Sequence, residues 1–163
     1  MKSVEQVFSD NRGNHILVAL YFYDKDYKQA VLNIPEEYAD INVIDINITK
    51  ARLDKPINPA ALFKMSRWLL QQFDKYENAI FYFICSTDDL STNHPDKSPQ
   101  VYRWELFDKL YMCVARNAGI NVQDVIVGAE GFQSLGRAFY RDKHTTIINF
   151  VAEYLQDKQT DSN

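Results

Sequence analysis

Apolar positions fall along this chain in short alternating or unbroken runs and in a few longer helical stripes. Between His15 and Tyr23 both parities are apolar: Ile16, Val18, Leu20 and Phe22 against Leu17, Ala19, Tyr21 and Tyr23. That pattern predicts a strand covered on both faces. A polar link at residues 24–26 and the alternation of Ala30, Leu32 and Ile34 predict a second strand over 29–34, closing an antiparallel hairpin that Pro35 ends. Residues 1–13 fit either a helical turn or an edge strand through Val4, Val7 and Phe8. Over 42–49, Ile44, Ile46 and Ile48 alternate with Asp45, Asn47 and Thr49. One face is apolar and one wet, which predicts a strand near the sheet edge. Asn58 and Pro59 then open a long helix over 59–75, as N-cap and first helical residue, with Leu62, Met65, Leu69 and Phe73 at helical spacing.

The run Ile80 to Cys85 is apolar without interruption and then turns polar at Ser86, Thr87, Asp88 and Asp89. It predicts a central strand, and the carboxyl end of such a strand is where open α/β sheets place ligands. Residues 91–100 carry loop composition. Trp104, Phe107, Leu110, Tyr111 and Val114 predict a helix over 101–117 ended by Asn117 and Gly119. A strand over 122–127, a loop punctuated by Gly128, Gly131 and Gly136, and a helix over 145–156 complete the pattern. The predicted order β-β-β-α-β-α-β-α describes an α/β (or α+β) fold: a mixed sheet with helices packed on it, in one domain over 1–157 with a frayed tail at 158–163. This is also the order of a ribonuclease-H-like fold.

Composition narrows the picture further. Apolar residues make up 46% of the chain, enough for a large core and too many for disorder. A net charge of -4 argues against a nucleic-acid coat. Two cysteines, Cys85 and Cys113, fall in predicted core positions, which suits buried thiols of a reduced compartment. No run reaches membrane-spanning length and no secretory leader is visible, so the expected setting is the cytoplasm.

The segment FYFICSTDD followed by TyrArgTrpGluLeuPhe from Tyr102 resembles a family of small uncharacterised domain proteins common in Bacteroidetes. Ser86 stands where members of that family often carry Asp, and the 91–100 loop is longer than theirs. The resemblance implies a shared fold and a shared polar site, and it implies no reaction.

Three groups of residues are candidates for chemistry. Cys85, Asp88, Asp89 and Arg103 are expected to meet beyond the central strand, as a carboxylate–guanidinium tie or a ligand site. Arg137, Arg141, Lys143 and His144, interleaved with Phe139 and Tyr140, form a basic–aromatic cluster suited to an anion or single-stranded nucleic acid, or equally to a solvated loop and helix start. Asp24 and Asp88 are the candidate catalytic and metal-binding carboxylates of a Mg²⁺-dependent nuclease or other hydrolase, although the 59–75 helix lacks the acidic residue that would complete the set. No zinc spacing or phosphate loop is present. The expectation that follows is a non-catalytic cytoplasmic protein-interaction module, binding a protein partner or a second copy of itself, with no cofactor, nucleic acid or membrane. The hydrolase, with Mg²⁺, is the alternative.

Overall fold

The computed structural model describes residues 2–50, 57–85, 108–109, 119–127 and 134–161. Its strands are β1 (Lys2–Ser9), β2 (His15–Phe22), β3 (Asn42–Lys50), β4 (Ala79–Cys85), β5 (Asn121–Val127) and β6 (Ser134–Tyr140). Its α-helices are α1 (Lys25–Leu32), α2 (Pro59–Lys75) and α3 (Thr145–Asp161). The strands form one mixed sheet in the order β1-β2-β3-β4-β6-β5. β3 and β4 run parallel, joined across a connection that contains α2, and the other neighbours are antiparallel. The α/β class and the mixed sheet are therefore present, with β4 in the interior between β3 and β6.

The element string differs from the expected one in four places. Residues 2–9 are an edge strand. Residues 25–32 are a helix, where a hairpin strand was expected. Asp24 caps it by accepting from the Tyr27 amide at 2.8 Å, and Asn33 ends it in the left-handed region at φ 52. In so short a stretch two-residue and helical periods both fit the apolar positions, and the caps decide. Residues 134–140 are a strand, where a glycine-punctuated loop was expected. The helix expected over 145–156 extends to Asp161. With β1 at the sheet margin and β4 antiparallel to β6, the ribonuclease-H-like order is not reproduced.

Alternating side chains divide the sheet into two faces. On one, Ile16, Val18, Leu20, Ile44, Ile46, Phe81 and Phe83 meet Ala61, Met65 and Phe73 of α2, all of them buried. Phe73 stacks on Phe81 with centroids 4.1 Å apart, and Phe139 meets Phe73 edge-on. Asn58 caps α2 through the Ala60 amide, as expected. On the other face Ile80, Ala138 and Tyr140 pack with Ile41 and with Ile147 and Ile148 of α3. β3 lies in the interior, not at the edge. Its wet residues Asn47 and Thr49 are exposed because no described element covers that part of the second face.

Polar ties hold the turns. Asp10 accepts from the Asn14 side chain and from the amides of Arg12, Asn14 and Asn58, which pins the β1–β2 turn to the start of α2. Slight burial pushes its carboxyl up, but these hydrogen bonds hold it well below the ordinary carboxylate range. Gly13 supplies the positive φ, 81, in that turn. Lys28 is buried and donates to the carbonyls of Ala39 and Ile41, tying α1 to the approach to β3.

Phe81→Ala should lower the unfolding free energy by about 3–5 kcal/mol. Phe63→Ala, at a position 49% exposed, should change it by less than about 0.5 kcal/mol. Urea titrations followed by far-ultraviolet circular dichroism check both.

Candidate ligand-binding cleft

α1 and α3 share the second face of the sheet without closing over it. Between them lies a cleft of about 260 Å³. Its floor is β4, β6 and the start of β3, with Tyr27, Leu32 and Ile34 from the α1 side and Ile148 and Val151 from α3. The space has a cause in the sequence. β6 presents Gly136 and Ala138 to this face, paired with Ile84 and Tyr82 of β4. Two small residues side by side with two large ones leave volume that the helices do not fill.

Polar groups gather at one end. Tyr82 and Tyr27 line the cleft. Tyr23 stacks on Tyr27 with centroids 4.0 Å apart and lies 5.9 Å from Tyr82. The Tyr23 hydroxyl donates to Asp45 Oδ2 at 3.2 Å, and Asp45 sits beside Tyr82 in the parallel register. Burial pushes the phenols of Tyr23 and Tyr82 far up, with the Asp45 charge adding to the effect, so both stay protonated at neutral pH. Burial also raises the Asp45 carboxyl, against the hydrogen bond from Tyr23. None of these four residues was a sequence candidate. The signal that was present, a lone Asp inside an isoleucine-rich strand with tyrosines at the end of its neighbour, reads equally as a solvated face.

Four of the expected site residues do other work in the structure. Asp24 is the N-cap of α1, its carboxylate engaged with the Tyr27 amide. Arg137 is buried in β6 on the α2 face. It pairs with Asp124 at 2.7 Å and Asp108 at 2.8 Å, so it is a cross-strand ion pair and not part of a basic surface. Burial opposes its charge, and the two carboxylates more than restore it. Arg141 donates to the Phe73 carbonyl at 2.9 Å, satisfying the last turn of α2. His144 is buried, with Nε2 3.1 Å from Asn78 Oδ1. The basic–aromatic cluster therefore does not form one face. Cys85 ends β4, and its side chain, with Asp88, Asp89 and Arg103, lies outside the described residues. Among the described residues no group of three or more His, Cys, Asp and Glu side chains is placed to hold a metal ion. Nor does any helix among them have the length and apolarity to cross a membrane.

No protein-family model matches the chain, and no curated protein matches it.

Two predictions follow from these assignments. Asp24→Ala should cost about 1 kcal/mol of stability, as the loss of a helix cap does, when measured by urea denaturation. His144 gives a pH dependence. Burial, then the charges of Lys143 and Arg141, lower its pKa from the ordinary 6.5, and Nδ1 is buried without a hydrogen-bond partner among the described residues. The unfolded chain thus binds a proton that the folded chain resists. The contribution to stability is fully present above pH 6.5 and is lost as pH falls through the lowered folded value. The urea midpoint should drop between about pH 7.5 and pH 5.5, and the drop should be smaller in His144→Gln.

Proposed function

We propose that the protein is a non-catalytic binding module whose recognition site is the cleft between α1 and α3, and that it takes a small ligand with an apolar body. The observation that carries this reading is an almost wholly apolar space between packed elements, bordered by Tyr27 and Tyr82, the form in which small-molecule sites occur. At about 260 Å³ the space exceeds a dry engineered cavity of roughly 150 Å³ that holds benzene, so a ring bearing a short chain fits it.

The protein-partner reading has less support. Val7, Phe63, Ile84 and Phe150 are the large apolar residues exposed among those described, and they lie on β1, α2, β4 and α3. Phe63 is on the opposite side of the sheet from Ile84. Such single exposures are ordinary on a surface. For the hydrolase reading, the Asp24 carboxylate already has its partner in the α1 backbone.

The test uses an apolar probe without a head group. Saturating ethylbenzene should raise the thermal midpoint of the wild-type protein. Ala138→Leu, which projects a larger side chain into the floor of the cleft, should abolish the rise while leaving the circular dichroism spectrum unchanged. An equal rise in both proteins, or none in the wild type, refutes the cleft as the site.

A further inference from the structure

The polar end of the cleft has a direction to its hydrogen bonding. A carboxylate only accepts hydrogen bonds. Asp45 accepts a hydrogen bond from the Tyr23 hydroxyl, and the ring contacts of Tyr23 with Tyr27 and Tyr82 bring all three phenols to one place beside that carboxylate. In the register Asp45 adjoins Tyr82, and it follows Val43, a lining residue, on the same face of β3. The negative charge therefore sits immediately beyond the tyrosines that a bound molecule would touch. It holds the Tyr23 hydroxyl by a hydrogen bond, and its field makes the space beside the Tyr27 and Tyr82 rings negative. Among the described residues that line the cleft, no cation balances this charge on the same face. Arg137, which borders the cleft through β6, carries its guanidinium to Asp124 and Asp108 on the other face. Lys28 of α1 is held by two backbone carbonyls.

We infer that the cleft selects amphiphiles whose apolar body ends in a hydrogen-bond donor, an ammonium or a hydroxyl, and rejects those ending in a carboxylate. This rests on the reading of the cleft as the binding site and adds the chemistry of the head group. The body fills the space over Gly136 and Ala138. The head reaches the phenolic oxygens of Tyr82 and Tyr27, where an ammonium also gains the field of Asp45.

Calorimetric titration with three probes of one body tests it: phenethylamine, phenethyl alcohol and phenylacetate, at about pH 7.5. Phenethylamine should bind most tightly, the alcohol next, and phenylacetate about tenfold or more weaker than the amine. Asp45→Asn keeps an acceptor for the Tyr23 hydroxyl and removes the charge. In that variant the amine should fall to the affinity of the alcohol, while the alcohol stays within about twofold, which also shows that the variant is folded. Equal affinity for the three heads, or a preference for phenylacetate, overturns the inference. If that binding is still lost in Ala138→Leu, the cleft stands as the site and only the head-group selection fails. Binding of no probe, or binding indifferent to Ala138→Leu, overturns both.

Discussion

A six-stranded sheet has two faces to keep from water, and the covering of those faces controls the rest of this fold. β4 is where the demand is strongest. Phe81 and Phe83 go to one side, Ile80 and Tyr82 to the other, within a single short run. Each large apolar side chain withdrawn from water contributes about 1.5–3 kcal/mol, so the strand holds its position only while both layers are present. α2 meets the first face with Met65 and Phe73 and seals it against β2, β3 and β4. Among the described elements, the second face is divided between α1 and α3.

That unequal cover produces the feature with functional content. At Gly136 and Ala138 of β6 the residues are small, and the helices above leave space beside them. A cleft remains, apolar along its length and phenolic at one end. Asp45 owes its unusual position to the same asymmetry: it lies on the partly covered face of an interior strand, where it is half-buried but still reachable by a tyrosine hydroxyl. A carboxylate in such a place loses much of its hydration and is steadied by a few oriented donors.

Charge elsewhere serves the architecture. Arg137 joins β6 to β5 and to residue 108, Arg141 finishes α2, Asp24 begins α1, and Asp10 ties the first turn to the second helix. These residue types in these numbers look like ligands in a linear sequence. Each was drawn into structure because a backbone amide, a carbonyl or an opposite charge, often distant in sequence, came within hydrogen-bond reach. Asn58 of α2 reaches Asp10, and Phe73 reaches Arg141. No local pattern announces such pairs.

Sequence alone determined the elements whose signal is local and strong. The α2 helix was legible from Asn58, Pro59 and the spacing through Phe73. β2 and β4 were legible from apolar runs too dense for a surface, and the mixed α/β sheet followed from their order. Where two periods fitted equally, over 25–32, the capping geometry at Asp24 and Asn33 decided for helix. Where polar or glycine residues interrupted the pattern, over 134–140, only pairing with β4 and β5 made a strand, because Arg137 is tolerable there once two carboxylates meet it. Lateral position was out of reach as well: alternation in β3 reports which face is covered, not which strand lies alongside. The cleft itself belongs wholly to tertiary structure. Its emptiness depends on how far α1 and α3 stand from Gly136 and Ala138, and its polar end on tyrosines of β4, α1 and the end of β2 converging on Asp45. Distances between elements of that kind are set by packing and are written in no single stretch of chain.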